Sequence, residues 1–338
     1  CRENGVEPIV TMMHFTSPKW LIENGGWENE ATVEAFKNYC QYVTEQLGDL
    51  MHYVCTINEA NMGIQVAAIS ARYRAQMMAK MQRMQQGGAE EKKDLEGTAQ
   101  VGMNFNDMMA NMQKQKEENV EIFGTDTLQT FVSARTPEGD MLVIRAHQAA
   151  RAAMKAVKPE LQIGLTLSLH DIQAQEGGEE TAAKEWVDEF THYVPYIKED
   201  DFFGLQNYSR SLIGPNGILP VPEGAEITQM DYEYYPEGLE HVIRRVYEEM
   251  PMPIMVTENG IATADDTRRV AYIQTAMKGV ENCIQDGIPV KGYMYWSMMD
   301  NFEWQKGFGM TFGLISVDRT TQTRTAKPSL TVLGNYTK

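Results

Sequence analysis

Cysteine is scarce in this sequence: four residues in 338, at Cys1, Cys40, Cys55 and Cys283. None is paired at a metal-binding or redox spacing, and no histidine stands near enough to complete a zinc set. The expectation is therefore four reduced, buried thiols in a reducing compartment, with no metal site. Excess positive charge is also lacking. Lys and Arg number 30 against 47 Asp and Glu, a net charge of −17. That balance argues against nucleic acid or an anionic membrane surface as the partner. No run of about 18 apolar residues occurs, so no membrane-spanning helix is expected. Neither G-x-G-x-x-G nor G-x-x-x-x-G-K-[ST] is present, which removes the usual signatures of nucleotide-binding sheets. Residue 1 is Cys and no basic-then-apolar leader follows. The expectation is the interior of a longer, cytoplasmic gene product. The sequons at Asn207 and Asn335 then read as chance matches.

What is present is a globular composition, 43% hydrophobic and 23% charged. The length suits two ordinary domains or one large α/β barrel. Strand candidates are Pro8–Phe15, His52–Asn58, Gln162–Ser168, Asp201–Ser209, Pro253–Asn259 and Val290–Asp300. Each is a largely apolar run, as strands buried on both faces require. Between them lie helical stripes: Val33, Phe36, Cys40, Val43 and Leu47, stopped by Gly48; Leu239, Val242, Ile243 and Val246; and Val270, Ile273, Met277, Val280 and Ile284, followed by Gly287. Strand and helix alternating at this rhythm predict parallel βαβ units, six of them. Chemically capable residues gather where the strands end: His14, Asn58, Glu59, Tyr208, Glu258, Asn259 and the segment from Trp296 to Asp300. A (β/α)8 barrel builds its active site at those ends. The expected fold class is α/β, a single barrel domain over residues 1–338. A Met-, Gln- and Lys-rich stretch from about 65 to 123 interrupts the rhythm. It reads as a helical insertion, two solvated helices broken at Gly87 and Gly88, with a lid beside Glu59 as the alternative.

Glu59 and Glu258 each follow a buried strand and each neighbour an asparagine. A lone glutamate there is ordinarily a solvated loop residue. Two on different strands of one barrel suit glycoside hydrolysis, which needs one carboxyl to protonate the leaving oxygen and one to attack the anomeric centre. Trp27, Trp296, Trp304, Tyr208 and Phe312 supply faces on which pyranose rings can pack.

At these residues the sequence resembles the family 1 glycoside hydrolases, retaining β-glucosidases on a (β/α)8 barrel. PIVTMMHFTSPKWLIENGGWEN is similar to the family's third strand and following loop. TINEAN is similar to its acid/base motif, with Ala60 where proline is usual. DFFGLQNYSR resembles the sixth-strand motif, VTENGIATADDTRR the nucleophile motif, and GYMYWSMMDNFEWQKGFGMTFGLISVD the eighth-strand signature. The resemblance implies a barrel incomplete at its N-terminus, six of eight strands present, with a sugar-binding Gln and an Arg lying upstream. It implies Glu258 as nucleophile and Glu59 as acid/base. Asn58 would hold the sugar 2-hydroxyl and Tyr208 the nucleophile's carboxylate. His14, Glu303 and Trp304 would hold the remaining hydroxyls, with Trp296 as platform. It implies no cofactor. The substrate would be a β-glucoside or small oligosaccharide, with galactosides or fucosides as side substrates, and homo-oligomers are among the expectations. The alternatives are a 6-phospho-β-glycosidase, disfavoured by the acidic Glu303, and a non-catalytic carbohydrate-binding relative, disfavoured by the intact Glu59 and Glu258.

Overall fold

Strands form where the chain is apolar on both faces, and helices where one stripe is. The computed structural model describes residues 1–85, 105–124, 126 and 128–337. They fall into two units, Cys1–Leu167 with Pro195–Asp200, and Ser168–Val194 with Asp201–Lys338.

In the first unit, β1 (Ile9–Met13), β2 (Tyr53–Ile57) and β3 (Gln162–Gly164) form a parallel sheet in the order β1-β2-β3. Val10 lies opposite Val54 and Thr11 opposite Cys55, while Cys55 faces Gly164 on the other side. Val54, Ile57 and Ile163 have no exposed surface, each contributing about 1.5–3 kcal/mol on burial. The run expected as one strand over Gln162–Ser168 is broken at Leu165, and β4 (Thr166–Ser168) follows. The Leu165 N–H goes instead to the Asp200 carboxylate at 3.2 Å.

After α1 (Lys19–Glu23), helix α2 (Ala31–Leu47) buries Thr32, Phe36, Cys40 and Thr44, an unbroken i, i+4 stripe. Leu47, placed on that stripe from the sequence, is instead exposed, one turn beyond the covered part. The Met-rich segment is helical at both described ends, as α3 (Met62–Gln85) and α4 (Phe105–Phe123). The expected break at Gly87 and Gly88 lies outside the described residues. Helix α5 (Pro137–Val157) was not foreseen. It has a strong start: Thr136 Oγ1 accepts from the Gly139 N–H at 3.0 Å, with Pro137 in the first turn. It packs on α2, and its Val143, Ile144, Ala146 and Ala150 have no exposed surface. Its His147 is fully buried because both ring nitrogens are partnered, by Thr56 at 2.7 Å and Asp200 at 3.1 Å.

In the second unit, β5 (Asp171–Ala174) leads to α6 (Glu179–Trp186), and α7 (Val194–Ile197) leaves it. The strands β6 (Phe203–Gln206), β9 (Ile254–Asn259) and β10 (Val290–Tyr295) lie parallel in the order β10-β9-β6. Two small pieces flank them: β7 (Arg210–Gly214) runs parallel to β5 and turns back into β8 (Gly217–Ile218), and β11 (Ile315–Val317) forms a hairpin with β12 (Arg324–Ala326). Helix α8 (Gly238–Glu249) buries Leu239, Val242, Ile243 and Val246, the predicted stripe. Helix α9 (Asp266–Gln285) starts from an Asp265 side chain that accepts from the Thr267 N–H. It buries Tyr272, Ile273, Ala276, Val280 and Cys283. The chain closes with α10 (Pro328–Gly334), whose Ser329 donates to Asp266 at 2.7 Å.

The register of β9 shifts against both neighbours beside Glu258. Leu205 faces Val256, but the next residue, Gln206, faces Glu258. On the other side Tyr293 faces Val256 and Tyr295 faces Asn259. At this height β9 therefore holds one more residue than either neighbour, taken up at Thr257–Glu258, while lower down β10 holds the extra one, between Val290 and Gly292. A bulge of this kind re-aims the side chains beside it.

Cys40, Cys55 and Cys283 are buried and unbridged, while Cys1, expected to be buried, is exposed. Burial pushes the Cys40 thiol up to about 12 and the Cys283 thiol to about 11, so both are poor nucleophiles at neutral pH. Among the described residues no helix is long and apolar enough to cross a membrane, and no cluster could hold a metal ion.

Candidate active site

Each unit carries part of the predicted residue set, and in each the part is assembled at a strand end. In the first, β1 and β2 both finish in residues with left-handed backbone, Phe15 at φ 65° and Glu59 at φ 43°. The Asn58 N–H donates to Met13 O at 2.8 Å, which brings the two strand ends level. His14 Nε2 then stands 3.5 Å from Asn58 Nδ2. Burial lowers the His14 pKa, which favours a neutral imidazole, able to donate from one nitrogen and accept at the other. Asn58 and Glu59 are both buried.

The backbone beneath Glu59 is held from three directions. Its N–H donates to Thr166 Oγ1 at 3.0 Å, and the same hydroxyl donates to Ile57 O at 3.2 Å. The Ala60 N–H donates to Thr166 O at 2.9 Å. Arg135, buried beside Asp140, donates to Ala60 O at 2.9 Å and Phe131 O at 2.9 Å. Neither Thr166 nor Arg135 was picked out from the sequence. Thr166 lies inside an ordinary strand run, and Arg135 lies in a loop with no periodic signal.

In the second unit Glu258 is the centre. Tyr208 donates to Glu258 Oε2 at 2.6 Å, and Gln206 adds a side-chain hydrogen bond to the same carboxyl. Burial pushes the Glu258 carboxyl up to about 7; the Tyr208 and Gln206 hydrogen bonds oppose the rise and the Glu303 charge adds to it. Glu303 is also raised, by burial first, against hydrogen bonds from Asn301 and Trp296. Glu258, Tyr208, Glu303 and Trp296 thus form one electrostatically linked group. Trp296 is set by its N–H, which donates to Asn259 O at 2.9 Å, beside a cis Trp296–Ser297 peptide. Gly260 is required there, since a Cβ would lie 2.1 Å from Trp296 O. Trp304 opens the short turn Trp304–Lys306 and is 40% exposed. Phe312 meets the Tyr208 ring edge-on at 6.3 Å.

Hydrogen bonds behind these side chains fix the group. Asn259 Nδ2 donates to Asn207 O at 2.6 Å, Tyr293 donates to Asn259 Oδ1 at 2.8 Å, and Tyr272 donates to Tyr208 O at 3.1 Å. Gln206 and Tyr293 were missed in the sequence. Their alternation with Tyr208 and Tyr295 was the available signal. Asn207, the sequon residue, is buried, its side chain donating to Leu169 O and Ser209 O.

Comparison with known proteins places this geometry. The sequence model described as "Glycosyl hydrolase family 1" matches residues 1–86 and 66–336. A crystal structure of the beta-glycosidase BGL167 is 40% identical, with a TM-score of 0.80 over 99% of this chain and 74% of its own. The fold class, parallel α/β of the (β/α)8 type, is shared with that structure. A beta-glucosidase of Agrobacterium sp. is 26% identical over 97% of this chain and 71% of its own length. A 6-phospho-beta-galactosidase of Lacticaseibacillus casei is 25% identical over 97% and 75%.

Proposed function

This chain belongs to glycosyl hydrolase family 1, and from that premise we propose that it hydrolyses β-D-glucosides with retention of configuration. Glu258 acts as nucleophile: its carboxylate forms a bond to the anomeric carbon as the glycosidic C–O bond breaks. Glu59 gives its proton to the departing oxygen. Water then attacks the glycosyl-enzyme, Glu59 takes the proton, and the C–O bond to Glu258 breaks to release the sugar. Asn58 holds the 2-hydroxyl, and His14, Glu303 and Trp304 hold the others over Trp296. The observation that carries this reading is the Tyr208–Glu258 pair, a buried carboxyl gripped by a tyrosine and near-neutral in pKa. Residues 1–338 make a single barrel domain with a helical insertion at about 65–123. The protein is cytoplasmic, uses small oligosaccharides as well as simple glucosides, and assembles as a homo-oligomer.

The phosphoglycosidase reading has one relative in its favour. The partly buried Glu303 weighs against it, since a carboxylate and a 6-phosphate would repel strongly in a water-poor site. Replacing Glu258 by Ala tests the main reading. Turnover of aryl β-glucosides should vanish, and azide should restore it as the α-glycosyl azide. Near-normal activity in that variant would remove Glu258 from the mechanism.

A further inference from the structure

We propose that Thr166 is a positioning residue for the Glu59 carboxyl, a role that rests on Glu59 being the acid/base. The turn that presents Glu59 is strained. A glutamate at φ 43° lies in the left-handed region that side chains other than glycine's rarely occupy. Such a conformation persists only where its surroundings over-determine it. Here Thr166 supplies three of the hydrogen bonds to that turn.

Thr166 is almost wholly buried. Its hydroxyl accepts from the Glu59 N–H and donates to Ile57 O, so both roles of the group are used on the same turn. Its carbonyl takes the next N–H along, that of Ala60. Three contacts, at 57, 59 and 60, fix the backbone on either side of the acid/base. The third exists because residue 60 is Ala: proline has no N–H to give. Arg135 then closes the far side through Ala60 O. Removing the hydroxyl would take away the acceptor of the buried Glu59 N–H and loosen the turn that holds the strain. The carboxyl would be free to settle away from the leaving oxygen.

The test separates positioning from stability by using leaving groups. The specificity constant kcat/KM reports events up to departure of the aglycone. An alkyl glucoside needs its oxygen protonated as it leaves; a dinitrophenyl glucoside does not. In Thr166→Val, kcat/KM for the alkyl glucoside should fall about 10²-fold, the cost typical of a small misplacement. The value for the dinitrophenyl glucoside should fall far less. Thr166→Ser, which keeps the hydroxyl, should recover most of the loss. In a Glu59→Gln background the Val substitution should change neither ratio further. The ratio is independent of how much protein is folded, and Thr166→Ala removes the same hydroxyl should the Val variant be too scarce to assay. Equal losses on both substrates, or a Thr166→Val ratio like the parent's, would overturn the proposal. A Glu59→Gln ratio like the parent's would instead overturn the acid/base reading beneath it.

Discussion

At the residue scale the chemistry turns on the environment of Glu258. Its carboxyl must be ionised to attack, and burial holds its pKa at about 7. Activity should therefore rise as pH rises through neutrality. Tyr208→Phe removes a hydrogen bond to the ionised form, so the acid limb of kcat/KM should move to higher pH. Glu303→Gln removes a like charge and should move it lower. A pH–rate profile of each variant checks both directions. The same shift carries a stability cost with a definite sign. The folded state binds this proton more tightly than the unfolded chain, so stability is full below the ordinary carboxyl pKa of 4.5 and falls as pH rises toward 7. Glu258→Gln, neutral at every pH, should be the more stable protein at pH 8, by up to about 3 kcal/mol. Equal denaturation midpoints at pH 8 would contradict this. The two glutamates, Asn58 and Tyr208 were legible in the sequence because motif and strand end coincide there. Arg135 and Thr166 were not, because each acts through geometry and carries no pattern of its own; Gln206 had a signal only in its alternation with Tyr208.

At the element scale legibility followed periodicity. Helices α2, α8 and α9 could be read because each carries an apolar stripe, which ends at a glycine in α2 and follows an Asp cap in α9. The strands of the two parallel sheets could be read because they are apolar on both faces. Strands β5 and β7 were invisible: DIQA and RSLIG put charged residues on a strand whose partners are decided by folding. Helix α5 was missed although its start, Thr136 before Pro137, is a plain capping signal. That cap is testable. Thr136 accepts from Gly139, and its own N–H and hydroxyl are taken by Glu28 at 2.8 and 2.6 Å. Thr136→Ala should cost about 1–2 kcal/mol of stability, measured as a shift in urea midpoint at unchanged slope. A null result would mean that Glu28 and the N-terminal proline hold the helix unaided.

At the scale of the whole molecule, the order of the motifs was more informative than any one of them. A histidine at a strand end is commonplace. His14, then Asn58-Glu59, then Tyr208, then Glu258, then Trp296 and Glu303, each at a strand end or in the loop that follows, is not. Because the reaction is proposed to proceed by two displacements, the first sugar released from a β-glucoside should be the β-anomer, seen by NMR before mutarotation. An α-anomer would exclude a glycosyl-enzyme on Glu258. The net charge of −17 adds an expectation of its own: association with a neutral sugar should be nearly indifferent to salt, whereas a 6-phosphorylated one should bind more weakly as salt is removed.

The extra residue in β9 has a consequence for how this site can change over evolution. The aim of Glu258 is set by a count, one more residue than the strands on either side. Deleting Thr257 would remove the bulge beside Glu258. It would also move the carboxyl to the opposite face of the sheet, since a slip of one reverses every side chain beyond it. Such a deletion removes the motif's threonine but spares its glutamate, asparagine and glycine. Among descendants of this chain, loss of activity can therefore arrive through spacing, in a sequence that still carries both glutamates.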